Sequence, residues 1–306
     1  MATISSHTLF HITKKFSVLK KIIKNGLRYS YSLEKTETET AIIQRNGYIP
    51  EDSDKKLQAN SLSGNPKTYV AIPMICFCDI PLLRIENHCE KYGKFAIGLN
   101  KEILSEIYNN LLNPVWYTES KNVYDLISNY SRIIYYQGKD LFEKNTNKDY
   151  LKKIIENDEL KKGNQEMIRR YINNKVLANY ILGYTKERKD NNTSYYDERE
   201  WRSILPDDED IAEWIWNIDE KYFDLYRKKW NDSMDKNEEY GHIILTSELL
   251  NDAITHIIVD TDKRIPDVIN YIMNTKSIFG VSDISLEQRL LLISKITSFE
   301  KINKDY

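Results

Sequence analysis

A chain of 306 residues, 41% hydrophobic and 29% charged, can bury one sizeable core, and its net charge of -2 supplies no global field toward nucleic acid or anionic lipid. No apolar run approaches a membrane span, the N-terminus lacks the basic, apolar, small-residue order of a signal peptide, and three cysteines fit free thiols better than a disulfide framework. The expectation is a cytoplasmic protein with no membrane partner.

In chain order, Thr8–Thr13 predicts a short strand, and Phe16, Leu19, Ile22 and Ile23 recur at helical spacing up to Asn25, with Gly26 placed where a helix stops. Residues 30–68 are polar and rich in turn signals, and read as a long mobile connection. Tyr69–Phe77 is a buried-strand candidate, Pro81 opens a helix to about Tyr92, and Phe95–Leu99 and Val115–Tyr117 are further strands. From Val123 to about Arg188 the pattern becomes a charged helical block that looks inserted, and Lys189–Ser194 is a polar loop. Strands follow at Gly241–Leu245 and Ile254–Val259, helices at 265–274 and 286–292, and a last strand or extension at 293–302.

The stretch Tyr195-Tyr196-Asp197-Glu198-Arg199-Glu200-Trp201-Arg202 interleaves charge with tryptophan where a strand is expected. Alternation sends Glu198, Glu200 and Arg202 to one face and Arg199, Trp201 and Ser203 to the other, with Trp201 expected buried. Two carboxylates beside a guanidinium can orient one carboxylate toward a sugar hydroxyl or a developing cation, or can simply neutralise one another on an edge strand. His11 stands inside an apolar strand with Thr13 on its face. In Cys76-Phe77-Cys78-Asp79-Ile80-Pro81 a strand ends in a carboxylate that also suits a helix N-cap. His88-Cys89, with Cys76 and Cys78, suggests zinc, but adjacent helical residues point about 100° apart and do not easily share an ion. No phosphate-cradling glycine loop, nucleophile elbow or HExxH is present.

The order of Leu9-Phe10-His11-Ile12-Thr13, Asn25-Gly26-Leu27, Ile75-Cys76-Phe77-Cys78-Asp79-Ile80-Pro81, His88–Gly93, Asn113-Pro114-Val115 and Asp197–Arg202 resembles the AbiGi family of abortive-infection phage-resistance proteins. That resemblance implies bacterial phage defence, with the role of antitoxin or regulatory partner of a toxin. The chain also resembles, more distantly, the ADP-ribosyltransferase fold of His-Tyr-Glu type: His11 and Thr13 in a first strand, a helix ending in Gly26-Leu27, and Glu200 on a late strand.

This second resemblance implies an α+β fold built on a split, bent mixed sheet with peripheral helices, one domain over residues 1–306 carrying a helical insertion at about 123–190. It implies NAD as substrate and a nucleic acid or protein as acceptor. Glu200 would stabilise the positive charge left on ribose when nicotinamide departs, and Glu198 or Arg202 would orient it. His11, Thr13, Phe77, Asp79 and Tyr92 are the dinucleotide-binding candidates, Phe77 or the Tyr29/Tyr31 pair filling the aromatic position. Lys14, Lys15, Lys20, Lys21 and Lys24 would suit a phosphate-bearing ligand or a solvated helix face. A catalytic Glu200 implies that Glu200→Gln leaves the melting temperature unchanged or raised. The competing expectations are an effector toxic when expressed alone, a harmless antitoxin, and a nucleotide-binding regulator without transfer.

Overall fold

The computed structural model describes residues 6–36, 68–108, 111–118, 127, 130, 131, 134, 158–187, 189–190, 193–194, 198–207, 212–218, 220–234, 242–243 and 245–305. The first half comprises β1 (Thr8–Thr13), α1 (Phe16–Asn25), β2 (Leu27–Arg28), β3 (Ser30–Thr36), β4 (Thr68–Cys78), α2 (Glu86–Tyr92), β5 (Phe95–Asn100), α3 (Lys101–Ile107), β6 (Leu112–Pro114) and β7 (Trp116–Thr118). The second comprises α4 (Asp158–Gly183), β8 (Thr185–Glu187), β9 (Lys189–Asp190), β10 (Thr193–Ser194), β11 (Glu200–Ile204), β12 (Ile215–Ile218), α5 (Glu220–Met234), β13 (His242–Ile243), α6 (Leu250–Ala253), β14 (Ile254–Val259), α7 (Ile265–Asn274), α8 (Leu286–Ile293), β15 (Ile296–Ser298) and α9 (Phe299–Asp305).

A mixed sheet organises these elements, in the order β15-β14-β5-β1-β4-β11-β6, with β14 and β15 its parallel pair. The long strand β4 is where the sheet divides. On one side its end meets β1 through Phe10↔Cys78 while its beginning pairs with β3 from Thr68 to Met74, so residues 75–77 face a gap between β1 and β3. On its other side β11 covers 74–78 and β12 covers 69–71.

Alternation across the strands separates two apolar faces. Leu9, Ile97, Leu99, Ile75 and Phe77 join Leu19, Ile22 and Ile23 of α1 in the largest core. Phe10, Cys78, Ala96 and Ile258 point the other way, as do Val70, Ile72 and Met74, which pack on Leu182, Ile204 and Trp214. Gly26 ends α1 with φ 88°, and Gly93 closes α2 at φ 119°, where an added Cβ would lie 2.3 Å from the Thr13 carbonyl oxygen.

Several expectations change. The polar connection begins with a full strand, β3, because Tyr29, Tyr31 and Leu33 alternate with Ser30, Ser32 and Glu34; its remainder, 37–67, lies outside the described residues. The helix expected from Pro81 divides into a 3-10 turn, Leu82–Arg84, and α2. The loop at 189–194 contains the β9–β10 pair. Helices α3 and α5 and strand β12 occupy stretches read without elements, and the last extension is three residues of β15 followed by α9. The helical block is represented by α4, and most of 123–157 lies outside the described residues. Among the described residues, no helix is long and apolar enough to cross a membrane.

Candidate functional site: an ion-paired cavity on strand β4

Strand β11 lies antiparallel on β4 with Glu200↔Cys78, Trp201↔Phe77 and Arg202↔Cys76 in register. Opposed residues share a face, so Glu200 and Arg202 project beside Cys76 and Cys78, while Trp201 and Ser203 project into the main core with Phe77 and Ile75. Trp201 is half-buried rather than buried, with the Lys101 ammonium 4.0 Å above its ring. Ser203 is fully buried and its Oγ lies 2.6 Å from the Tyr29 hydroxyl. The strand starts at Glu200, not before it: Arg199 is left-handed with φ 45°, and Glu198 reaches the same side from a turn rather than by alternation.

Around Glu200 the charges are paired. Arg202 donates from Nε to Glu200 Oε1 at 2.7 Å, from Nη1 to the Gly183 carbonyl at 2.8 Å, and its Nη2 lies 2.9 Å from Glu34 Oε1. Lys186 Nζ donates to Glu198 Oε2 at 3.1 Å and to Glu200 Oε2 at 3.2 Å. Glu198 Oε1 accepts from Lys91 and, at 2.9 Å, from the Tyr92 hydroxyl. Three carboxylates therefore meet three cations. The parallel pairing of β7 with β8 sets Tyr117 beside Lys186, and the Tyr117 hydroxyl accepts the Glu200 N–H at 3.0 Å.

Glu34, Lys186, Glu198, Glu200 and Arg202 form one wall of a cavity of about 240 Å³, and Phe10, Ile12, Met74, Cys76, Phe77 and Cys78 supply an apolar one. Burial alone would raise the Glu200 carboxyl, but Arg202 and Lys186 outweigh it and hold the pKa at about 2. The same balance raises Lys186 and Arg202 above their ordinary values, Glu200 prevailing over burial in both. Glu198 is lowered by Lys186 and Lys91 against the opposing effect of burial. Burial raises the Cys76 and Cys78 thiols and the Tyr92 hydroxyl.

His11 shares the alternation of Leu9 and Ile97, away from Glu200, yet its ring turns into the gap between β1 and β3 and also lines the cavity. Its Nδ1 lies 2.8 Å from the Cys76 carbonyl oxygen, and its ring stands edge-on to Phe77 at 6.0 Å. A carbonyl only accepts, so Nδ1 carries the proton, and burial lowers the pKa so that the ring is neutral. The bond satisfies a backbone group where β4 has no strand partner on that side.

Of the other sequence candidates, Phe77 and Tyr92 line the cavity, and so does His88, whose ring lies 6.0 Å from that of Tyr92. Thr13 stands at the far end of β1 opposite Phe95, outside the lining. Asp79 is also outside it: buried, it accepts from the Ser6 N–H at 2.8 Å and from Lys101 Nζ at 2.9 Å. It is not the expected N-cap, since Pro81 holds that position without a side-chain bond. Among the described residues no cluster of His, Cys, Asp and Glu could hold a metal ion. Sequence reasoning missed Glu34, Lys91 and Lys186. Only Glu34 had a local signal, the alternation of residues 29–34.

A family model described as abortive phage resistance protein AbiGi, antitoxin, matches residues 45–260. The chain belongs to the AbiGi family. The matched span takes in β4, the whole charged network except Glu34, and β14. A curated AbiGi relative from Lactococcus lactis subsp. cremoris, named abortive phage resistance protein AbiGi, is 28% identical over 256 residues, covering 77% of this chain and 89% of that protein. No solved structure matches the chain.

Proposed function

We propose that this AbiGi-family chain is the non-toxic member, the antitoxin, of an abortive-infection toxin–antitoxin pair, acting by binding its cognate toxin rather than by chemistry. The carrying observation is the ion network: both oxygens of Glu198 and of Glu200 are held by cations. That pairing lowers the pKa of both carboxylates, which makes them poor general bases and suits a structural clamp. The family description supports the same reading. In this role Glu34, Glu198, Glu200, Lys186 and Arg202 hold β3, β8 and β11 in one arrangement across β4. The test is expression of the chain alone and together with each gene that neighbours its own, the candidates for the toxin. Harmless expression alone and rescue of growth in the pair are expected; growth arrest by this chain alone would overturn the reading.

A second reading is favoured by one feature: His11, Phe77, Tyr92, Glu198, Glu200 and Arg202 line a single cavity. In it the chain is an ADP-ribosyltransferase-like effector, with NAD as substrate and a host or phage macromolecule as acceptor. Glu200 would then face a ribose hydroxyl after displacing Lys186. At about 240 Å³ the cavity is below the ~300–1,000 Å³ usual for small-molecule sites, so a dinucleotide requires it to widen. Label transfer from NAD into lysate, lost in Glu200→Gln, would establish this reading. Absence of transfer and of any NAD-dependent thermal shift removes it.

A further inference from the structure

The first 33 residues contain six basic side chains and no acidic one, in a chain whose net charge is -2. Five of these, Lys14, Lys15, Lys20, Lys21 and Lys24, lie in α1 or directly before it. Helix α1 buries Leu19, Ile22 and Ile23, and at 100° per residue that stripe directs Lys21 and Lys24 outward and leaves half-buried Lys20 on its flank. Among the described residues none of the five lysines forms an ion pair.

Tertiary contacts lengthen this surface at both ends. The close approach of Gly93 to Lys14 brings exposed Lys94 alongside, and Ser277 Oγ, donating to the Lys24 carbonyl at 3.2 Å, brings exposed Lys276 to the other end. Phe16 lies between Lys20 and Arg264, 5.0 and 4.9 Å from its ring centroid. Asp260 neutralises Arg264 at 2.8 Å, Asp262 accepts from Ser298, and α7 adds Asp267, so the positive charge of the surface rests on its lysines.

We propose that this surface binds the phosphate backbone of nucleic acid. A ten-residue helix is about 15 Å long, and cations distributed along it and past both ends suit a continuous polyanion rather than one isolated anionic group. An acidic protein would be expected to need apolar anchors, yet the only large hydrophobic exposed on α1 is Val18. The surface lies over the core that contains Leu19 and Ile22, on the face of the sheet opposite Glu200, so it stands or falls separately from the function proposed above.

The test is fluorescence polarisation of the full chain with a random-sequence DNA duplex of about 25 base pairs and a single-stranded RNA of similar length, across roughly 50–200 mM KCl. With five phosphate contacts, log K against log salt should slope by about -4.5 on duplex and about -3.5 on single strand, a loss of two orders of magnitude or more. The tighter probe identifies the preferred nucleic acid. Lys20→Gln, Lys21→Gln and Lys24→Gln together should reduce the slope by about 2 to 3 at unchanged melting temperature, whereas Lys228→Gln on α5 should leave it intact. If the triple variant folds poorly, the pair Lys21→Gln and Lys24→Gln, at outward positions, should still reduce the slope by between 1 and 2 or so. No binding at low salt, the same slope in the folded variants, or equal binding of poly-glutamate of matched charge would each overturn the proposal, the last in favour of an acidic protein partner.

Discussion

Replacing Glu200 with Gln keeps the size of the side chain and removes the charge that Arg202 and Lys186 share. The Glu200 carboxyl is held at about 2 against an ordinary value of 4.5, and at about 1.36 kcal/mol per unit this corresponds to about 3 kcal/mol of stability at neutral pH. Because the folded value is the lower one, the contribution is complete above the unfolded value of 4.5 and is lost as pH falls toward 2. Arg202 keeps Glu34 and Lys186 keeps Glu198, so the variant should still fold. With an unfolding entropy of about 2.1 cal/mol/K per residue, 306 residues lose roughly 5 °C in Tm for 3 kcal/mol. Differential scanning fluorimetry of both proteins from pH 7 to pH 3 measures this. The gap should be widest at neutral pH and fall to about 1 kcal/mol near pH 3. Equal Tm values at pH 7, which a purely catalytic Glu200 implies, or a gap independent of pH, would refute the view that Glu200 holds the structure together.

Tyr29→Phe strands the buried Ser203 hydroxyl and should cost about 1–2 kcal/mol in urea unfolding, with Ser203→Ala in the same chain recovering part of the loss. Gly93→Ala forces a Cβ onto the Thr13 carbonyl at φ 119° and should destabilise by at least about 2 kcal/mol, visible as a lower urea midpoint. Burial raises the Cys76 and Cys78 thiols, so in the native protein at pH 8 they should react with a thiol reagent far more slowly than in denaturant, and a native-state rate matching the denatured one would contradict their placement.

Where neighbours in sequence decide the structure, the sequence was sufficient. Strands β1 and β14 and helix α7 have the predicted bounds, because apolar spacing, with Pro266 in the first turn of α7, makes each choice locally. The facing of Glu200 and Arg202 away from Trp201 and Ser203 was equally local, a consequence of alternation alone. Strand β3 was legible too, but its polar half and the turn-rich segment after it outweighed the alternation of Tyr29, Tyr31 and Leu33. The candidate site was only half visible. Its ion network draws Glu34 from β3, Lys91 from α2, Lys186 from β8 and Glu198–Arg202 from the approach to β11, and no periodicity links positions so far apart. The register of β11 on β4 and of β8 on β7 brings them together, and burial then makes each charge require a partner. His11 gives the same lesson at one residue. Sequence placed it in an apolar strand, but only the division of the sheet at β4 leaves the Cys76 carbonyl for its ring to satisfy.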